Sequence, residues 1–288
     1  MNKRLSFRYI TVISLVGLIL FSGGSGQGMK LLSFDNKIVK NFKAKLPSHF
    51  PVLYEKPYLV TGDISQNKLQ EIMRGTIRQC SKALYNDFLH KRPRSPIRIY
   101  LFKNKKSYEF YSRKLFKTEP GTPYGYYLSS RRSMIMNIST GLGTLVHELC
   151  HPLLEEDFPG IPSWLDEGIG SLFEACSCGE HIYGYVNWRL PVLKEVLREG
   201  RYVPLRKVFS TTREEFYNDA KGAHYAEARY FCLYMQEKKV LRRFYKSFRD
   251  NQGNDNTGIV FVEKAFGGKK LEDIEKDWLI WVKGLSYE

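Results

Sequence analysis

The spacing of apolar positions predicts strands and helices in the first half of this chain. Residues 65–90 place apolar side chains three and four positions apart, which predicts a long amphipathic helix. Residues 97–102 alternate in polarity, which predicts a strand. The same reasoning predicts a short strand at 58–61, a helix at 107–116, and two strands at 124–128 and 133–138 joined by a turn.

Helical spacing dominates the second half. After a loop and N-cap at 141–144, helices are predicted from 144 past 151 and at 162–176, 190–198, 223–235 and 271–281. Pro152 lies inside the first of them, so we expect that helix to kink or to end soon after residue 151. Strands followed by helices indicate an α+β fold, with a small sheet and a mostly helical C-terminal half.

The helix that begins near residue 144 carries the sequence H-E-x-x-H. Its spacing projects His147 and His151 from one face, where both imidazoles can bind one zinc ion. Glu148 follows the first histidine and can act as a general base toward water. A catalytic zinc also needs a third protein ligand. Glu167, within the downstream segment W-L-D-E-G, is the candidate.

Together, H-E-x-x-H and W-L-x-E-G resemble the gluzincin branch of the zincin metallopeptidases, most closely the peptidase-MA-like domains. The resemblance implies a zincin-like fold and one Zn²⁺ held by His147, His151 and Glu167, with Glu148 as catalytic base. Thermolysin-like members carry an aspartate four residues after the ligand glutamate, which orients a zinc-bound histidine. Here that position is Ser171. Either another carboxylate takes over this role or the metal is held less tightly; the candidate carboxylates are Glu174, Asp166 and Asp157.

The resemblance also implies residues that contact the substrate. In the family a later helix packs near the site, where a tyrosine or histidine can stabilise the oxyanion. Tyr225 and His224 are the candidates, with core packing or exposure as the alternative role of each. The strand before the metal helix often lies at the edge of the sheet in zincins and pairs with an extended peptide. Here that strand carries Met134 and Met136. The resemblance therefore implies a peptide or protein substrate that pairs with this strand.

The N-terminus predicts export from the cytoplasm. Basic residues precede an apolar run at 10–21, and small residues follow it. Residues 1–26 therefore form either a signal peptide or an uncleaved N-terminal anchor, and the protein is periplasmic, secreted or anchored facing outward. Residues 27–57 contain three prolines and predict an extended lead-in. Residues 58–288 then form the peptidase domain, with its sheet part ending near 140.

The formal net charge is +15, and the basic residues are scattered in ones and twos. Such a surface favours weak attraction to an anionic envelope or membrane surface. Nucleic-acid binding is not expected, because the chain has no nucleic-acid-binding motif. The acidic run at 155–157 is typical of a solvated helix end.

Five cysteines leave at least one thiol free if disulfides form within the chain. Cys176 and Cys178 are too close in sequence to pair easily with each other. One of them can pair with Cys80, Cys150 or Cys232. Buried thiols or one disulfide are favoured over a second metal site, because no second thiol pair completes a tetrahedron.

These patterns favour hydrolysis of peptide bonds outside the cytoplasm, by metal-activated water with a glutamate general base. Two alternatives stay open. The chain can be a catalytically weak or inactive envelope or substrate-binding protein that retains the fold. It can also be a zinc hydrolase that acts on a bond other than a peptide bond.

Overall fold

A computed structural model describes residues 26–219, 222–253 and 255–287 of the 288-residue chain. The chain divides into two compact units, residues 1–45 and 46–288. Apart from Gly26, the predicted signal or anchor segment lies outside the described residues. Among the residues that are described, no helix has the length and apolar character needed to cross a membrane.

In the first unit, helix α1 spans Gly26–Lys43. The prediction of an extended lead-in over 27–57 is therefore wrong for most of its first part. That prediction depended on three prolines, Pro47, Pro51 and Pro57. All three follow the helix, and a proline disfavours helix only near its own position.

The second unit begins with a five-stranded mixed sheet in the order β1-β2-β3-β5-β4. Strand β3 pairs in parallel with β2 and β5, while β1 and β4 pair antiparallel at the two edges. The sequence predicted every strand of this sheet except β1. The bounds are Val52–Glu55 for β1, Tyr58–Gly62 for β2, Ile97–Phe102 for β3, Gly125–Leu128 for β4 and Ser133–Asn137 for β5.

A long helical crossover joins the parallel strands β2 and β3. It consists of α2 (Gln66–Ile72), a π-helical turn (Met73–Arg78) and α3 (Gln79–Asp87), which confirms the helix predicted at 65–90. The side chain of Ser65 caps its start by accepting a hydrogen bond from the Lys68 N–H. The helix predicted at 107–116 is α4 (Lys105–Tyr111) followed by a second π-helical turn.

Strand β4 lies at the sheet edge, and β5 does not. Strand β5 pairs with β3 on one side and with β4 on the other. Met134 and Met136 on β5 are only 0% and 2% exposed. The expectation that these two residues form a substrate-binding edge is therefore wrong. The physical reason is the turn at Ser129–Arg131, which folds β4 back along β5 as a hairpin and covers that edge.

Helix α5 (Gly143–Asp157) packs against β4 and β5 and against α6 (Ser163–Leu172). The helix continues past Pro152, so of the two expected effects of this proline, a kink or an end soon after His151, the end is wrong. A proline removes one backbone hydrogen bond and crowds the preceding turn, at a cost of about 3 kcal/mol. Burial of Leu149, Leu153 and Leu154 on either side of the proline offsets this cost.

Helices form most of the remaining chain, and the fold is α+β with 56% helix. The sequence predicted α6, α7, α10 and α13 but missed the shorter α8, α9 and α12, as well as α11. Helix α10 packs against α6 along much of its length and connects it to α7 and α11. The bounds are Arg189–Arg198 for α7, Leu205–Phe209 for α8, Arg213–Tyr217 for α9, Ala223–Glu237 for α10, Leu241–Asn251 for α11, Ile259–Ala265 for α12 and Leu271–Gly284 for α13.

A two-stranded hairpin follows α6, formed by β6 (Cys176–Cys178) and β7 (Ile182–Gly184). A disulfide between Cys80 and Cys178 ties this hairpin to α3. Cys150 and Cys232 are buried thiols, so the expectation of buried thiols or one disulfide is confirmed in both respects. The Cys176 sulfur lies 3.6 Å from that of Cys178. The disulfide thus anchors the segment that follows α6 to helix α3.

Candidate metal centre

The start of α5 lies against the chain that follows α6. A Cβ atom on Gly143 would lie 2.2 Å from the carbonyl oxygen of Glu174, so only glycine fits at this position. This close approach brings the first turn of α5 beside Glu174. Two turns of α5 then present the histidines of H-E-x-x-H toward α6.

His147, His151 and Glu167 converge between these two helices. The Nε2 atom of His147 lies 3.1 Å from Oε2 of Glu167, and Nε2 of His151 lies 3.9 Å from the same oxygen. The three side chains are 6%, 7% and 4% exposed. The structure therefore brings together all three ligands that the sequence predicted.

The donor set fits zinc. Two imidazole nitrogens and one carboxylate oxygen lie within 4.8 Å of one another, and zinc sites are built from such nitrogen and oxygen donors. Oε2 of Glu167 is buried and faces the imidazoles of both histidines. When those histidines are neutral, a cation at the centre of the cluster would offset the free-energy cost of this buried carboxylate oxygen.

A carboxylate faces the outer nitrogen of each histidine. Asp166 places Oδ1 3.0 Å from Nδ1 of His151, and Glu174 places Oε1 3.2 Å from Nδ1 of His147. Such partners keep the proton on Nδ1 and leave the Nε2 lone pair for a metal. Of the carboxylates considered from the sequence, Glu174 and Asp166 therefore lie beside the histidines.

Ser171 and Asp157 have other partners. The Ser171 hydroxyl, at the position of the family's aspartate, donates to the backbone carbonyl of Glu167, four residues back in α6, and so is engaged with its own helix and not with a histidine. A serine side chain is too short to leave its own helix and readily bonds this carbonyl. Asp157 accepts a hydrogen bond from Tyr245 and pairs with Arg249 on α11. The expectation of a solvated helix end is therefore wrong for Asp157, which is fully buried.

The histidines and carboxylates of the cluster shift one another's pKa values. Burial opposes protonation of His151, but the charges of Asp166 and Glu167 outweigh it and raise its pKa to about 9. Burial would raise the pKa of Glu167, yet His151 and His147 lower it. Without a metal, the cluster therefore favours protonated histidines beside ionised carboxylates. Zinc binding must displace those protons, so its affinity depends on pH.

Glu148 lies next to the cluster without belonging to it. Its Oε2 is 4.0 Å from Nε2 of His151. Burial, opposed by the charges of the two histidines, raises the pKa of this carboxyl group. A carboxylate with a raised pKa is suited to accept a proton and to give it back.

A cleft of about 640 Å³ opens beside the cluster. The end of the edge strand β4 contributes Gly125 to one wall. Glu148 and His147 lie in the cleft, so water or a substrate can reach both. The other described residues that line it are Thr122, Tyr124, Thr140, Gly143, Thr144, Glu174, Trp188, Arg189 and Tyr225.

Tyr225 and His224, the two oxyanion candidates, have different surroundings. Tyr225 lines the cleft. Burial, together with the charge of Glu167 and a hydrogen bond with it, raises the pKa of the Tyr225 hydroxyl well above its usual range, so it stays a proton donor. The ring of His224 instead lies against Phe216, with Nδ1 3.2 Å from the Phe216 carbonyl oxygen. His224 is not among the described residues that line the cleft, so its candidacy is not supported.

Sequence reasoning missed two side chains of the site. Tyr217 donates a hydrogen bond of 2.6 Å from its hydroxyl to Oε1 of Glu167. Arg189 donates two hydrogen bonds to the Glu174 carboxylate, from Nε at 3.1 Å and from Nη2 at 2.8 Å. Burial would raise the pKa of Glu174, but His147 and Arg189 lower it to about 2. No local pattern marks either residue, because each reaches the site through tertiary packing.

Comparison with known proteins adds no relative: no protein-family model matches this chain, and no curated protein matches it. The chemistry of the site therefore has to be argued from its own geometry.

Proposed function

We propose that this protein is a zinc-dependent peptidase that hydrolyses peptide bonds outside the cytoplasm. The observation that carries the proposal is the convergence of His147, His151 and Glu167, with a carboxylate on the outer nitrogen of each histidine. A buried cluster with these donors and these supporting carboxylates is characteristic of catalytic zinc sites.

His147, His151 and Glu167 are the residues that would hold the ion. When bound, zinc supplies a Lewis acid that acidifies water and polarises a carbonyl group. Asp166 and Glu174 keep both imidazoles in the tautomer that offers Nε2. Arg189 in turn fixes the carboxylate of Glu174 from the wall of the cleft.

Glu148 serves as the general base. It accepts a proton from the attacking water and donates it to the leaving amine. Burial raises its pKa, and a carboxylate that is more basic than usual accepts a proton more readily. The Tyr225 hydroxyl remains protonated and can donate to the oxygen of the scissile carbonyl as negative charge develops there.

An extended peptide fits this cleft. Strand β4 is an antiparallel edge strand whose first residue, Gly125, lines the cleft, and the outer backbone groups of the strand can pair with a substrate strand. The small mixed sheet, the H-E-x-x-H helix beneath β4 and β5, and the third ligand on the next helix together support a zincin-like fold. Export agrees with the Cys80–Cys178 disulfide, since disulfides persist mainly in oxidising compartments.

The test replaces Glu148 with glutamine. We expect Glu148→Gln to bind zinc with the stoichiometry of the parent and to lose cleavage of a peptide library by at least about 10²-fold, the usual contribution of a general base. Mass spectrometry of the products measures cleavage, and elemental analysis measures zinc.

Glu156→Gln is the matched control, because Glu156 lies on the same helix and pairs with Arg132 instead of facing the cluster. This variant should retain both properties. A parent that binds zinc but cleaves no member of the library, or a Glu148→Gln variant as active as the parent, would sink the proposal.

A further inference from the structure

The two oxygens of the Glu167 carboxylate have different surroundings. Oε2 faces the two candidate ligand histidines, at 3.1 Å from Nε2 of His147 and 3.9 Å from Nε2 of His151. Oε1 instead accepts the 2.6 Å hydrogen bond from the Tyr217 hydroxyl. One oxygen is therefore left for a cation while the other is already committed.

Helix α9 presents Tyr217 in a fixed position. A capping box between Thr212 and Glu215 closes the first turn of this short helix. The next residue, Phe216, is fully buried and anchors the helix in the core. The Tyr217 ring contacts the guanidinium of Arg213 and the ring of Tyr225. These contacts hold the Tyr217 ring so that its hydroxyl reaches Glu167.

We propose that Tyr217 is a positioning residue that restricts Glu167 to binding zinc through one oxygen. The inference rests on the proposed function in one respect, because it requires the zinc site. If Oε1 were released, the carboxylate could supply both oxygens to the ion. The second oxygen would then occupy the open position that a catalytic zinc keeps for water.

Tyr217 and Tyr225 both lie near Glu167, but they differ in their access to the cleft. Tyr225 lines the cleft and can meet a substrate. Tyr217 is 38% exposed and is not among the described residues that line the cleft.

The experiment compares the parent with Tyr217→Phe, which removes the hydroxyl and keeps the ring in contact with Phe216 and Tyr225. Zinc K-edge X-ray absorption of the loaded full-length protein counts the oxygen ligands near 2.0–2.2 Å. Competition with a chromophoric chelator measures zinc affinity. We expect one more oxygen ligand in the variant and an affinity about tenfold lower, as for other residues that orient metal ligands.

Tyr183→Phe is the matched control. The Tyr183 hydroxyl donates to Glu237 on α10, so this change removes a hydrogen bond of the same kind away from the cluster. Its spectrum and affinity should equal those of the parent. Melting of the chelator-treated proteins verifies that both variants remain folded.

The outcomes separate the two proposals. Failure of the parent to bind zinc removes the peptidase proposal and this inference with it. A parent that binds zinc through both oxygens of Glu167 overturns only the inference. So does a Tyr217→Phe variant with the same coordination number as the parent, whatever its affinity. Only an added oxygen ligand in Tyr217→Phe, absent from Tyr183→Phe, supports the inference.

Discussion

The Oδ1 atom of Asp166 lies 3.0 Å from Nδ1 of His151, and Asp166 directly precedes the candidate ligand Glu167. Successive residues of a helix project about 100° apart. One turn of α6 therefore reaches His151 from two directions, with Glu167 toward Nε2 and Asp166 toward Nδ1. The W-L-D-E-G segment thus supplies a ligand and the carboxylate that orients another ligand.

This relationship predicts that Asp166→Asn weakens zinc binding. The amide is nearly isosteric but carries no charge, so it no longer favours the Nδ1–H tautomer of His151. Residues of this kind contribute about 10–100-fold to metal affinity, and we expect a loss in that range. Chelator competition at pH 7.5 measures it.

Asp273→Asn, a change in an exposed ion pair on α13, is the control for Asp166→Asn and should keep the affinity of the parent. An unchanged affinity in Asp166→Asn would mean that the contact with His151 has no orienting role.

The site residues that could be predicted from the sequence are those that lie within one short segment of the chain. His147, Glu148 and His151 lie within two turns of one helix, and spacing alone places the two histidines on one face. Glu167 was found because its own segment is distinctive. Tyr217 and Arg189 could not be found in this way. Each contacts one carboxylate of the site from a separate helix, and helix packing, which no short pattern encodes, sets that contact.

The sheet shows the same division. Alternating polarity predicted the strands at 97–102 and 133–138. It could not predict their order, because a buried internal strand and a covered edge strand carry similar apolar residues. The expectation for Met134 and Met136 came from the family resemblance and not from the polarity pattern. The parallel pairing of β3 with β5 leaves β4 at the edge, and only tertiary structure decides that order.

Asp157 is predicted to be a main contributor to stability. It pairs with the Arg249 guanidinium at 2.7 Å, and it also accepts backbone hydrogen bonds from His90 and Lys91. Asp157→Asn removes the buried charged partner of the Arg249 guanidinium and leaves the arginine with the exposed Asp250. Breaking a buried ion pair in this way costs about 3–5 kcal/mol in free energy of unfolding. Urea denaturation of the chelator-treated protein measures the loss.

Asp250→Asn is the matched control for Asp157→Asn. Asp250 pairs with the same arginine, but its side chain is 53% exposed. An exposed pair contributes about 0–1 kcal/mol, so this variant should lose little stability. Equal losses in both variants would contradict the role assigned to burial.

The Cys80–Cys178 disulfide joins residues 98 positions apart. Closing so long a loop restricts the unfolded chain, and we expect Cys80→Ser to lower the free energy of unfolding by about 2–4 kcal/mol. Cys176→Ser, which retains the bridge, should cost much less. Denaturant titration of both variants checks this prediction. A Cys176→Ser variant as unstable as Cys80→Ser would show that stability depends on the thiol cluster and not on the bridge.

We expect Glu227 on α10 to lower the free energy of unfolding as the pH rises. It is fully buried, and Oε2 has no hydrogen-bond partner among the described residues. Burial, together with the charges of Asp219 and Glu275, raises its pKa to about 8, despite the hydrogen bond from the Val203 N–H. The unfolded chain releases this proton near pH 4.5, whereas the folded chain keeps it until about pH 8. Stability must therefore decrease across that window, because the folded state binds more protons.

Glu227→Gln cannot ionise and so escapes this loss. The difference in free energy of unfolding between the variant and the parent should therefore shift in favour of the variant by a few kcal/mol between pH 4.5 and 8. Urea titrations at several pH values measure this gain, with exposed Glu272→Gln as a control that should run parallel to the parent above about pH 5. Parallel curves for Glu227→Gln and the parent would mean that Glu227 titrates normally in the folded protein.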